Sequence, residues 1–169
     1  MSGTDNQNKG NSAEYLVCFK LQRRHIPVWM LGGNNKRWDI VFSTKKDEFL
    51  PGQVKARTQN AITFKNEDLI PSKGYYFIWY CPNESKDKGK DRLVNNLKKI
   101  TKEVLGRETG STLLIFNSKR IIKMCAKAKD RKSNIGKKSI FTNLTYDDIN
   151  YGVKYYLKFM EKYSNNNKI

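Results

Sequence analysis

Seven consecutive residues at positions 75–81, Tyr-Tyr-Phe-Ile-Trp-Tyr-Cys, carry no charge. The run has a strand's length and is far too short to span a membrane. It also lacks the apolar–polar alternation of a strand with one wet face, so it reads as a strand covered on both sides. A strand of that kind requires a layered fold, with other elements packed above and below the sheet. The same composition argues against exposing these aromatics as a base-stacking platform, because no polar residues are interleaved among them.

The rest of the chain supplies the layers. Residues 8–24 (NKGNSAEYLVCFKLQRR) predict an amphipathic helix with Glu14, Val17, Cys18 and Leu21 on one face. Residues 26–31 and 37–43 read as strands joined by a Gly32-Gly33-Asn34-Asn35 hairpin turn. After a polar turn over 44–49, residues 53–57 form the next strand, and 61–64 either a short strand or a turn. Residues 86–90 read as a loop. A helix is expected over 92–105, with Leu93, Leu97, Ile100 and Val104 on one side, then a strand over 113–116 and a short basic helix over 121–128. Thr145 and Asp148 have capping-box spacing and open a last helix with Ile149, Val153, Leu157 and Met160 facing inward. The sum is an α/β domain with a central mixed β-sheet flanked by helices. One domain, residues 9–163, is expected between disordered tails at 1–8 and 164–169.

Charge narrows the partners. The net charge is +17 in 169 residues, far beyond what solubility needs, and points to a polyanion such as nucleic acid. It is unevenly spread. Residues 1–85 hold 12 Lys and Arg against 8 Asp and Glu, whereas residues 86–169 hold 21 against 8. Nine basic residues and one acid, Asp130, fall between positions 119 and 138. Such a run makes phosphate contacts that position a protein without reading sequence. Cys18, Cys81 and Cys125 are far apart and sit in apolar settings, so buried free thiols are expected, not a zinc site. Together with the lack of a signal-peptide pattern, they suggest a reducing, intracellular (cytoplasmic) setting. His25 has no nucleophile partner in any recognisable motif and is expected to be a capping or surface residue.

Within the near-neutral first half, four residues form a chemical pattern. Glu14 lies on the first helix, Asp39 on KRWDIVF, and Gln53 and Lys55 on PGQVKART. Two oxygen-bearing side chains on neighbouring strands, a helical carboxylate and a lysine two residues along can place a hard cation beside a positive charge. Hydrolysis of a phosphodiester uses those parts. A carboxylate on an apolar helix stripe is also costly unless something compensates it.

This helix–strand–strand order resembles the PD-(D/E)xK nuclease superfamily, in particular its small Holliday-junction-resolvase-like and restriction or homing endonuclease branches. The resemblance runs from residue 8 to 55, with weaker support to residue 80. It implies a restriction-endonuclease-like fold with a catalytic core over 9–81 and a basic DNA-binding part over 86–163. It also implies that Glu14, Asp39, Gln53 and Lys55 are catalytic, and that Glu14, Asp39, Gln53 and the Val54 carbonyl hold Mg²⁺, with Mn²⁺ able to substitute. One departure from the family pattern matters. Gln53 stands where the family carries a second acid, which removes one negative charge from the ion's surroundings. Trp38, not proline, precedes Asp39, at a position the family varies freely.

The expected activity is metal-dependent endonuclease cleavage of DNA, site-specific on duplex in the restriction or homing manner. A junction resolvase, or a DNA-binding protein that keeps the fold without catalysis, is the alternative. Lys36, Arg37, Arg57, Lys119, Arg120, Lys123, Lys127, Lys129, Arg131, Lys132, Lys137 and Lys138 are the candidate DNA contacts, with Lys45 and Lys46 also beside the site. A homodimer or higher homo-oligomer is expected, as two-strand cleavage favours symmetry.

Overall fold

A computed structural model of the chain describes residues 3–32, 37–129 and 136–164, with side chains from Asn11 onward. The hairpin turn at Gly33-Asn34-Asn35, the candidate contacts Lys36, Arg131 and Lys132, Asp130, and residues 165–169 lie outside the described residues. The first helix, α1 (Gly3–Gln22), begins inside the segment expected to fray.

Strands β1 (Val28–Met30), β2 (Ile40–Ser43), β3 (Phe49–Arg57), β5 (Tyr75–Tyr80) and β6 (Thr112–Asn117) form one sheet in the order β1-β2-β3-β5-β6. The β3–β5 pair is parallel and the other three are antiparallel, so the sheet is mixed, as expected. The 75–81 strand lies next to the β6 edge and is buried nearly throughout, with only Trp79 partly exposed. β3 is nine residues long because it does two jobs. Phe49–Gly52 pair with β2 and Gly52–Arg57 with β5, which is why the 53–57 pattern showed only its second half. Gly52 sits at the overlap, where an added Cβ would lie 2.6 Å from the Phe77 ring and 2.8 Å from Ile40.

β4 (Ala61–Lys65) is a strand because it pairs with β7 (Ser139–Asn143), an element the sequence pattern did not suggest. The two form a separate antiparallel ribbon. The helices are α2 (Lys90–Leu105), α3 (Ser118–Ala126) and α4 (Tyr146–Tyr163). α3 starts three residues earlier than expected because the Asn117 side chain caps it, accepting from the Arg120 N–H at 2.9 Å. The predicted capping box is present: Asp148 N–H donates to Thr145 Oγ1 at 3.2 Å, and Thr145 N–H to Asp148 Oδ2 at 3.0 Å. In α4, Phe159 is buried and Leu157 only half-buried. His25 is exposed with φ 56°, in the left-handed region at the end of α1.

Two cores lie on the two faces of the sheet. On one, Ala13, Val17 and Leu21 of α1 pack on Val54, Phe77 and Ile40, with Phe159 and Tyr163 of α4 closing the end. On the other, Tyr76, Ile78 and Tyr80 meet Phe64 of the ribbon, Leu97 and Ile100 of α2, and Ile121 and Cys125 of α3. All three cysteines are buried free thiols. Among the described residues no helix is long and apolar enough to cross a membrane.

Candidate functional site

Strand parity decides which side chains meet. In β2 and β3, Ile40, Val54 and Ala56 point into the α1 core. Their neighbours Asp39, Gln53 and Lys55 therefore face the other side, toward the ribbon. Asp39 lies opposite Gln53, just outside β2, and its backbone N–H donates to the Gly52 carbonyl at 2.9 Å. Its carboxylate Oδ2 accepts from Val54 N–H at 2.6 Å and from Gln53 Nε2 at 3.0 Å. Val54 thus turns its amide toward Asp39, and in a strand the carbonyl of the same residue faces the same way.

Lys55 stands half-buried with its Nζ 5.4 Å from the centre of the Phe64 ring. Burial pushes its pKa down, while the carboxylates of Asp68 and Asp39 work against that shift. Burial also raises the Asp39 carboxyl, partly offset by the Val54 N–H, the Lys55 charge and the Gln53 amide. Asp39, Gln53 and Lys55 therefore form one cluster.

Glu14 belongs to the α1 layer. Among the described residues, no hydrogen bond or ion pair joins it to the other three, but it senses the charge of Asp39. Its carboxyl is raised first by burial and then by the negative charge of Asp39. The residue missed from the sequence is Asp68. It is 1% exposed, in the single-turn 3₁₀ helix Asn66–Leu69 that follows β4. Its Oδ2 accepts from Lys65 N–H at 2.8 Å, while Oδ1 is buried without a hydrogen-bond partner. Its carboxylate is the strongest charge acting on Lys55. Nothing in FKNEDLI marks it out, because only the fold of the ribbon over the sheet brings it near Lys55.

A cation fits this donor set in one way. The described residues hold no group of three or more His, Cys, Asp and Glu able to bind a metal. Mg²⁺ keeps most of its water and is commonly bound through one or two carboxylates plus substrate phosphates. Asp39, with Glu14 behind it, matches that, and the donors are all oxygen. For Gln53 to ligate, its amide must rotate to present Oε1, giving up the hydrogen bond to Asp39.

The candidate DNA contacts divide. Lys119, Lys123, Lys127, Lys129, Lys137 and Lys138 are exposed. Arg120 is engaged elsewhere: it pairs with Asp148 at 2.6 Å and lies over the Tyr151 ring at 4.6 Å. Arg37 donates to the Ile70 carbonyl at 2.7 Å and covers Trp38. Arg57 is half-buried and donates to the Ala56 carbonyl at 2.7 Å.

The fold is a mixed α/β sheet with helices on both faces, carrying a cluster of a carboxylate, an amide and a lysine. No protein-family model and no curated protein matches the chain. Among solved structures it is similar to Hjc of Archaeoglobus fulgidus, a Holliday junction resolvase from an archaeal hyperthermophile. The identity is 12% and the TM-score 0.46, over 82% of this chain and 86% of that one. A likeness at that level carries no functional inference, so function has to be read from the side chains.

Proposed function

We propose that the chain is a metal-dependent DNA endonuclease that hydrolyses phosphodiester bonds. The observation that supports this best is the meeting of Asp39, Gln53 and Lys55 on the ribbon side of the sheet. Asp39 would hold Mg²⁺ directly, Gln53 and the Val54 carbonyl would complete the set, and Glu14 would act through water. When bound, the ion supplies a polarised phosphate and a bound water of lowered pKa. Lys55 carries its charge on the same face as Asp39, where it can orient the attacking water and balance the charge that builds on the phosphate oxygens. Val54 N–H and Gln53 hold the Asp39 carboxylate in a fixed orientation.

The β4–β7 ribbon favours site-specific cleavage of duplex DNA. Its inner residues Ile62, Phe64, Ile140 and Thr142 are buried, so Thr63, Lys65, Ser139, Phe141 and Asn143 form the outer face. A two-stranded ribbon fits the major groove, where hydroxyl, amide and apolar side chains can read base edges. Phe64 anchors that ribbon beside Lys55, and the exposed lysines of α3 and its flanks provide backbone contacts.

The test is plasmid cleavage with Mg²⁺ or Mn²⁺, beside Asp39→Asn and Lys55→Ala. Discrete fragments, reduced on the order of 10²–10³-fold or more in each variant, are expected. Cleavage confined to four-way junctions would replace site-specificity with junction resolution. DNA that is shifted in a gel but never cut would leave a binding protein only.

A further inference from the structure

A cleft of about 270 Å³ opens on the α1 side of the sheet, where β5 ends and β6 begins. Its walls come from four places: Lys20 of α1, Trp79 of β5, Arg107 and Ser111 between α2 and β6, and Tyr156 of α4. Lys20 is half-buried with its Nζ 5.1 Å from the centre of the Trp79 ring. Burial lowers the pKa of its ammonium, and the nearby positive charges of Arg107 and Arg23 push in the same direction. The acid lining the cleft, Glu108, points its carboxylate at Lys102, 3.3 Å away. Like charges converge here on a partly desolvated site, and among the described residues no salt bridge engages Lys20 or Arg107, an arrangement that an incoming anion relieves.

We propose that this cleft binds a phosphate group of a nucleic-acid strand between Lys20 and Arg107, with its sugar or base against the aromatic wall of Trp79 and Tyr156. The volume suits one nucleotide unit and is too small for a duplex. Aromatic surface beside cations is the usual means of holding unpaired nucleotides regardless of sequence.

The cleft is separate from the Asp39–Lys55 cluster. Trp79 packs with the α1 core and pairs with Ala56, whereas Gln53 pairs with Tyr76 and faces the ribbon. Gln53 lies about 10 Å along the strand from the level of Trp79, and Lys55, although one residue from that level, faces the opposite side of the sheet. A strand seated here would be an anchoring segment and not the one being cut. The nucleic-acid source of the phosphate rests on the nuclease reading; the phosphate chemistry does not.

The experiment uses the full chain and follows tryptophan fluorescence, with Trp79→Phe to identify the Trp79 signal. The probes are inorganic phosphate and a four-residue oligothymidylate. We expect saturable quenching by the oligonucleotide, at least tenfold tighter than by phosphate, and at least tenfold weaker in both Arg107→Gln and Lys20→Met. Arg107 is exposed, so the Arg107→Gln variant keeps its fold even if Lys20→Met does not. Phosphate binding as tightly as the oligonucleotide would overturn the strand assignment and leave a free-anion site. Unchanged affinity for both probes in Arg107→Gln would overturn the proposal outright. Plasmid cleavage at saturating DNA, measured in parallel on Arg107→Gln, separates the two readings. A variant that cuts normally but has lost no oligonucleotide affinity sinks the cleft alone. A chain that never cuts, yet quenches as described, sinks the nuclease reading alone.

Discussion

Replacing Gln53 by Glu tests the site through a single atom. In the native chain Gln53 Nε2 donates to Asp39 Oδ2 at 3.0 Å. Gln53→Glu turns that hydrogen bond into a meeting of two carboxylates. Two unit charges about 4 Å apart repel by about 4 kcal/mol at an effective dielectric of 20. Protonation caps the cost, because holding a carboxyl of ordinary pKa about 4 in its neutral form at pH 7 takes about 4 kcal/mol. A protonated pair also regains one hydrogen bond. The expected loss of stability near pH 7 without divalent metal is therefore about 2–4 kcal/mol. For a chain of this length that lowers the Tm by roughly 5–15 °C.

The pH dependence has a definite sign. Burial already raises the Asp39 and Glu14 carboxyls, and the new charge raises Asp39 further. An acid whose pKa is higher folded than unfolded binds more protons in the native state. Stability is then greatest below the unfolded value and declines as pH rises through the folded one. The gap between variant and wild type should close as pH falls toward the ordinary carboxyl range and widen toward neutrality. Mg²⁺ should restore the lost stability, and the metal concentration for half-maximal cleavage should fall below wild type. Thermal melts across pH, with and without Mg²⁺, measure this directly. A variant as stable as wild type at neutral pH and indifferent to Mg²⁺ would refute both the carboxylate–amide contact and Gln53 as a ligand.

Asp68→Asn keeps a side-chain acceptor for Lys65 N–H but removes the counter-charge nearest Lys55 in effect. It should slow cleavage by about tenfold or more through loss of one preorganised charge, read as kcat at saturating DNA, with melting little changed. Gly52→Ala should cost about 1–3 kcal/mol by overpacking against Phe77 and Ile40, measured by denaturant unfolding. Neutralising Lys119, Lys123, Lys127 and Lys129 together should flatten the slope of log K against log salt by up to about 3.6 units, and an unchanged slope would make them solvated surface. Asp148→Ala should destabilise by about 3 kcal/mol or more in thermal melts, because it removes a helix cap and strands the largely buried Arg120.

Much of this protein follows from local pattern. The apolar run at 75–81 could only be a strand wrapped on both sides, because seven uncharged residues leave no face for water. The capping box at Thr145 and Asp148 is visible because a cap is a short-range hydrogen-bond pattern. Asp39 and the Gln53/Lys55 pair were legible because period-two geometry puts residues two apart on one face.

What involves distant partners was hidden. β7 and the ribbon exist only because 139–143 finds 61–65 across the chain, and neither segment has a strong pattern alone. Arg37 and Arg120 look like free cations in sequence, but tertiary contacts engage one with the Ile70 carbonyl and the other with Asp148. Asp68 is one acid among sixteen in the chain, and only the ribbon folding over the sheet buries it near Lys55. Helical spacing put Glu14 on the apolar face of α1, but only the packing of that helix into the fold brought it within range of the Asp39 charge. Sequence spacing prescribes which side chains share an element's face. Which faces meet depends on contacts between residues far apart in the chain, and those appear only when the layers close.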